Sequence, residues 1–516
     1  MTLQSLFCVE CVELFYLDTI LADVSRLLST NVEILKTFQQ TPQKVFGTTR
    51  CGQLDIIAFR RGAPCIFIDA LERTEHKRMR LSNADVVSEL IHDNSPQARA
   101  IIGPSGVGKS TTILGVLVRE YGCYIESGSR YAEHGSRFAL KFVRMLTDAA
   151  KDDHPNTFAE GCLLKAQLSL LLVLRAFRKQ CQNCTPRHWA YLMASASSAK
   201  YRNHRDIDLL LKEVLLMLAP LQNNEAWRLV NGLKKALGCR LLFLDEAQIF
   251  LRKDFGTTFV GPTGTRGRPI VSAFLEVEDL VLSGTGLQLQ LVTESLGSGI
   301  QKPTGLPRKL DECSPTELEK QHTRQAAGRS RVLTVPGCEA QDVKDFLRLY
   351  GLAVPDDAEL INSLCGRGRL VSLVVYNSYE FGTRLTLAQC ITKTVIEFAE
   401  KLFETTKRRF AENPPFQRAD GTSTSYRQLA QDLLCCSQFH GGRIVCEPDE
   451  MIDFIDMSLC MLRTRGEGEA PEAFIQETVA ILALHKLCES WGMNAPINHI
   501  VNHLNANGAR VRGSGR

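Results

Sequence analysis

Eight consecutive residues, Gly103-Pro104-Ser105-Gly106-Val107-Gly108-Lys109-Ser110, have the types and spacing that suit a polyphosphate. A triphosphate concentrates several negative charges in a small volume. Its site therefore needs converging backbone N–H donors, a helix N-terminus and a long cationic side chain. Gly106 and Gly108 let the backbone wrap closely, Lys109 has the reach for the β- and γ-phosphates, and the Ser110 hydroxyl is placed to ligate magnesium, with Thr111 supporting the adjoining phosphate. The cofactors implied are ATP and Mg2+.

A second segment supplies what the first lacks. Arg240-Leu-Leu-Phe-Leu244 is an apolar run suited to a central parallel strand, and Asp245-Glu246 follows at its carboxyl end. In a nucleotide site Asp245 would hold the magnesium shell, and Glu246 would polarise a water for in-line attack on the γ-phosphate. A carboxylate pair at a strand end also serves as a simple helix N-cap. Its pairing with the glycine-rich loop favours the catalytic reading.

Two further groups belong to the same chemistry. Ser283-Gly284-Thr285-Gly286 lies just beyond the strand-like Asp279-Leu-Val-Leu-Ser283, so Ser283 or Thr285 is the candidate for sensing the γ-phosphate, against an ordinary glycine turn. Gly366-Arg367-Gly368-Arg369 offers Arg369 to the transition-state charge, against a solvated surface arginine.

Other constellations carry less. Asp55 and Asp69 stand on two β-rich runs spaced like the metal core of a restriction-like nuclease, but Leu71 occupies the place where that chemistry needs a lysine. Turn or strand-end roles suit them better. Cys8-Val-Glu-Cys11 and Cys181-Gln-Asn-Cys184, the latter followed by His188, each resemble half a zinc site without a second half at a usual distance. The basic clusters His76-Lys-Arg-Met-Arg80 and Lys407-Arg-Arg409 are short and read as solvated helix faces, so nucleic acid is weakly supported as a partner.

The elements needed to position the phosphate site are present in order. Ala98-Arg-Ala-Ile-Ile102 reads as a buried strand feeding the loop, and Thr111 to Tyr121 as the helix after it. A mainly helical stretch follows, with a dense apolar helix from Asp206 to Leu221, before the Asp245 strand. Pro269 stands where a helix could start, Gly299 to Arg331 has the composition of an exposed connection, and Asn413-Pro-Pro415 breaks the helical region beyond. Ahead of the loop, Leu6-Phe-Cys-Val and Val12-Glu-Leu-Phe-Tyr read as short strands before a helix, and Leu54-Asp-Ile-Ile-Ala-Phe59 and Cys65-Ile-Phe-Ile68 as two more strands.

Composition sets the bounds. With 516 residues, 44% hydrophobic and 23% charged, the chain exceeds one ordinary core and has apolar material for several. A net charge of +4 is too small a surplus to imply a polyanionic partner, and 18 scattered cysteines read as reduced thiols. No uninterrupted apolar run reaches the roughly 18 residues that cross a bilayer, so no membrane role is expected.

The ordered set Leu244-Asp-Glu-Ala-Gln248, Arg268-Pro-Ile-Val-Ser, Leu282-Ser-Gly-Thr-Gly-Leu287 and Leu364-Cys-Gly-Arg-Gly-Arg369 resembles the P-loop ATPases of Crinkler effectors and retrotransposon hot spot proteins. The likeness covers residues 98 to 400 and extends more weakly to about residue 490. Ser5-Leu-Phe-Cys with Val12-Glu-Leu-Phe-Tyr-Leu-Asp is similar to the ubiquitin-like N-terminal segment of Crinklers. The resemblance implies an α/β P-loop NTPase of AAA/STAND-like type, a parallel sheet with a helical C-terminal region, acting as a nucleotide-driven switch with a protein partner. Family members often carry a further toxin domain; after residue 490 too little chain remains for one, so an ATPase module without it is expected. The family's effectors are secreted and frequently reach a host nucleus; a cytoplasmic protein is the other expectation. The expected division is a small, β-rich ubiquitin-like segment at 1–50, a β-rich connection at 51–97, the nucleotide core with a helical insertion at 98–300, a helical lid and sensor region at 301–412, and a C-terminal helical region at 413–516.

Overall fold

The computed structural model describes residues 9–37, 48–51, 54–57, 84–92, 98–103, 108–127, 136–181, 183–196, 202–251, 259, 269–274, 277–284, 331–335, 337–380, 384–412, 425–437, 444–445, 451–463, 472–475 and 477–493. Helices α1 (Val9–Thr30) and α2 (Val32–Thr37) come first, followed by the antiparallel hairpin of β1 (Thr48–Cys51) and β2 (Leu54–Ile57), then helix α3 (Ala84–His92). Val12-Glu-Leu-Phe-Tyr, expected as a strand, is therefore helical. It is continuous with a helix whose buried residues further along, Ile20, Val24 and Leu28, recur every four residues, the spacing of one helical face. A ubiquitin-like fold for residues 1–50 loses one of its expected strands there. Residues 1–8, with Cys8, and the run Cys65-Ile-Phe-Ile68 with Asp69 lie outside the described residues.

The core unit opens with β3 (Arg99–Ile102) and α4 (Lys109–Leu117), in the expected order around the glycine-rich loop. It continues through β4 (Cys123–Glu126), α5 (Arg137–Thr147), α6 (Pro155–Gln180), α7 (Pro186–Ala196), α8 (Arg202–Leu218), α9 (Asn223–Leu237), β5 (Leu242–Asp245), the short α10 (Val271–Phe274), β6 (Leu280–Gly284) and β7 (Arg331–Thr334). The five strands pair in parallel in the order β4-β5-β6-β3-β7. Every residue of β5 is buried, as is every residue of β6, which is what continuous apolar runs produce when a parallel sheet is covered on both faces.

α6 is the central packing helix of this unit. Although Lys165 interrupts its apolar run, it is long and apolar enough to cross a bilayer by length and composition; 78% of its apolar window is buried within the protein. It packs against α7's Trp189, whose ring lies 6.1 Å from Phe177 and whose indole N–H donates to the Gly122 carbonyl at 2.6 Å. α8 also supplies a cap: Asp208 accepts from the Ser136 hydroxyl and the Arg137 and Phe138 amides, satisfying donors at the start of α5 that have no partner within their own helix.

Beyond the sheet lie α11 (Ala340–Leu349), α12 (Ala358–Asn362), α13 (Gly368–Glu380), α14 (Leu387–Glu412) and α15 (Tyr426–Ser437). β8 (Ile444–Val445), α16 (Ile452–Asp456), β9 (Met461–Arg463), β10 (Glu472–Phe474) and α17 (Thr478–Ser490) complete the described chain. α14 is described as far as Glu412, and Asn413-Pro-Pro415 lies outside the described residues. The last region is not purely helical as expected, since β8, β10 and β9 form a small antiparallel sheet. These elements share a second hydrophobic core, in which the Phe410 ring stacks 4.2 Å from Tyr426 and packs 4.9 Å from Phe454.

Candidate functional site

Parallel strands bring their carboxyl ends, and the loops that follow, to one edge of the sheet. Here the register is specific: Ile101 of β3 lies opposite Ser283 of β6, Leu244 of β5 opposite Leu282, and Glu126 of β4 opposite Asp245. The strand before the glycine-rich loop, the strand ending in Ser283 and the strand ending in Asp245 are therefore three neighbours, with β6 between the other two.

Asp245 is the centre of the arrangement. It is only 2% exposed, and its carboxylate accepts four donors. The Ser110 hydroxyl donates to Oδ2 at 2.6 Å and the Tyr124 hydroxyl to the same oxygen at 3.0 Å. The Ser283 hydroxyl and the Glu246 amide donate to Oδ1 at 2.8 and 3.0 Å. Three of these donors, Ser110, Ser283 and Glu246, stand in motifs visible in the sequence. Tyr124 does not. The register places Tyr124 one diagonal step from Asp245 on the same face of the sheet, within reach of an aromatic side chain. An isolated tyrosine on an edge strand carries no motif, so only the pairing exposes it. Burial, reinforced by the adjacent Asp245, pushes its hydroxyl pKa well up, which keeps it a donor.

Lys109 begins α4 and is buried, with its ammonium donating to the Gly103 carbonyl at 2.8 Å across the mouth of the loop. Gly108, just before it, has φ of 112°, a conformation that favours glycine, and its carbonyl accepts from both the Thr112 amide and the Thr112 hydroxyl. Burial brings the Lys109 pKa down to about 8, opposed by Asp245 and Glu246 and assisted by Arg369 and Arg367. Pro104, Ser105, Gly106 and Val107 lie outside the described residues, as does Thr285. Thr111 lies in the first turn of α4.

Glu246, partly buried, takes up φ of 57°, in the left-handed region that costs an ordinary residue about 1–2 kcal/mol. The strand thus ends in a sharp turn at the carboxylate expected to handle water. Arg369 of α13 is solvent-exposed and lies within electrostatic reach of Glu246 and Lys109. The arginine-bearing turn thus comes within electrostatic range of Lys109 and Glu246, although it is far from both along the chain. Ser110 and Asp245 are hard oxygen groups at hydrogen-bond distance, a donor pair that fits magnesium better than a softer ion.

Among the described residues the remaining candidates form no site. Cys181 donates to the Leu35 carbonyl, Cys184 faces the Tyr121 hydroxyl, and the His188 ring pairs with Thr185. No group of three or more metal-binding side chains occurs among the described residues. Asp55 is in β2, paired across the hairpin with Arg50, while Asp69 and the His76 to Arg80 cluster lie outside the described residues.

No family model matches the chain, and no curated protein matches its sequence. Among solved structures it is similar to the Walker-type ATPase PABY2304 of Pyrococcus abyssi, with a TM-score of 0.40 and 16% identity over 83% of this chain and 97% of that one. A likeness this loose carries no inference. The Crinkler and retrotransposon hot spot resemblance rests on the motifs quoted for it.

Proposed function

We propose that the chain is a P-loop ATPase that binds ATP with magnesium and hydrolyses it as a nucleotide-driven switch. The observation that carries this reading is the bond from the Ser110 hydroxyl to Asp245, which joins the phosphate loop to the acidic strand end in one cleft. The loop amides and the positive end of α4 would hold the β- and γ-phosphates. Lys109, now on the weakly attracting Gly103 carbonyl, would transfer its ammonium to phosphate oxygens, a stronger charge-assisted bond. Ser110 and Asp245 would hold magnesium, which when bound would supply charge neutralisation for the phosphoryl group. Asp245 orients the Ser110 hydroxyl, with Tyr124, Ser283 and the Glu246 amide fixing the carboxylate from the other sides.

Glu246 accepts a proton from the attacking water at its carboxylate, and Arg369 faces the charge that gathers on the transferred phosphoryl group. Ser283, whose hydroxyl sits on Asp245, acts first as a support for that carboxylate; γ-phosphate sensing by Ser283 or Thr285 belongs to the same proposal. The finer reading, a Crinkler-like effector module with a protein partner, rests on motif order alone.

Phosphate release from ATP by purified protein tests the proposal. The expected result is magnesium-dependent release by wild type, with Glu246→Gln binding ATP and releasing about 100-fold less. Nucleotide binding without release by wild type would leave a binding protein; equal release by wild type and Glu246→Gln would remove Glu246 from the mechanism.

A further inference from the structure

Gly366-Arg367-Gly368-Arg369 carries two arginines, and the structure gives them opposite environments. Arg369 is exposed, within electrostatic reach of Glu246, whereas Arg367 is 2% exposed. The Arg367 guanidinium pairs through Nε with Glu477, donates to the Ser458 carbonyl at 2.7 Å, and lies 5.3 Å from the centre of the Phe398 ring. Those three partners come from the N-cap position of α17, the turn after α16, and α14. One side chain therefore ties together three parts of the C-terminal core.

The backbone around it is equally tight. The Gly366 amide donates to the Cys338 carbonyl at 2.9 Å, on the segment leaving β7. A methyl group added at Gly337 would stand 2.4 Å from the Gly366 Cα, and one at Gly366 would stand 2.6 Å from the Glu477 Cγ. Gly366 also has φ of 94°. Strand exit, arginine loop and α17 are thus stacked without space for a side chain between them.

Glu477 itself has an unusual surplus. Its Oε2 serves Arg367, while Oε1 is buried with no hydrogen-bond partner among the described residues. A carboxylate oxygen left in that state is costly, and such groups call for a reason beyond stability. A buried pair is also a poor source of net stability compared with apolar packing, but it fixes geometry. The charge of Lys109 acts on Glu477, which puts this joint within electrostatic range of the proposed phosphate site.

From this we infer that the Arg367–Glu477 pair is a positioning joint: it holds Arg369 beside Glu246 and passes occupancy of the phosphate site to the C-terminal core through α17 and the turn at Ser458. Arg367 is then a positioning residue, acting through Arg369. The inference rests on the proposed ATPase reading and adds the route by which the nucleotide reaches the rest of the chain.

The test combines three measurements on the full chain: ATP affinity, phosphate release, and hydrogen exchange in peptides from 451–463 and 477–493, each with and without magnesium-ATP. Wild type is expected to gain protection in both peptides when ATP binds. Glu477→Gln, which keeps the shape and removes the charge, is expected to bind ATP within about twofold of wild type, release phosphate roughly tenfold more slowly, and lose the protection change. If Glu477→Gln lowers the unfolding midpoint, the pair Arg367→Met with Glu477→Met replaces the ions by apolar volume and must show the same split. Wild-type turnover and wild-type protection in either variant would overturn the joint while leaving the ATPase reading intact. Failure of wild type to bind ATP would remove the ATPase reading and the joint together.

Discussion

The Ser110 hydroxyl donates to the Asp245 carboxylate at 2.6 Å across a sequence separation of 135 residues. That bond closes the gap between a loop that can hold phosphates and a strand end that can manage metal and water. It also makes the consequences of each substitution specific.

Lys109→Ala removes a long cation buried at the mouth of the loop. A hydrogen bond between charged groups contributes about 1.5–3 kcal/mol, so ATP affinity should fall roughly tenfold to a hundredfold, measured by equilibrium titration. An unchanged affinity would mean that phosphate binds elsewhere.

Tyr124→Phe deletes a hydroxyl and little volume. Asp245 then loses one of the two donors on Oδ2, so that Ser110 alone holds that oxygen while Ser283 and the Glu246 amide stay on Oδ1. The magnesium concentration giving half-maximal phosphate release should rise about tenfold, while ATP affinity measured in a metal chelator should stay within about twofold. Equal losses in both would assign Tyr124 to packing.

Nucleotide binding should depend on pH through Lys109. Its pKa is about 8 in the protein alone, and approach of phosphates favours the protonated form and raises it. Below pH 8 the side chain is already charged, so affinity measured in a metal chelator should be flat. Above pH 8 a proton must be taken up on binding, and affinity should fall by up to about tenfold per pH unit. Lys109→Ala should abolish that slope. A wild-type affinity constant to pH 9.5 would contradict the assignment.

Gly366→Ala tests the crowded crossing. The new methyl meets Glu477 at 2.6 Å, and the residue keeps φ of 94°. Overpacking and backbone strain together should cost about 3 kcal/mol, seen as a lower urea midpoint. An unchanged midpoint would show that the crossing is looser than described.

Much of this site was legible because it is written in contiguous residues. A glycine-rich loop between a strand and a helix, and an apolar strand ending in two acids, are local patterns that determine local geometry. Tyr124 and Arg367 were not legible in that way. Tyr124 becomes part of the site only when β4 pairs with β5, and Arg367 only when Glu477, more than a hundred residues later, packs against it. Chemistry alone points to Arg369 within its motif, but nothing local says which of the two arginines is buried. The Val12-Glu-Leu-Phe-Tyr strand failed for the opposite reason: residue type in a short run suggested β structure, whereas the run is continuous with the helix expected after it.

The central claim is that Ser110 and Asp245 hold one metal ion together, and a double-mutant cycle on magnesium-dependent ATP affinity measures it most directly. With Ser110→Ala, Asp245→Asn and the pair of substitutions combined, each single variant is expected to lose most of the affinity that magnesium adds, and the double variant to lose little more than either. Additive losses, or an Asp245→Asn protein that still responds to magnesium like wild type, would contradict the account.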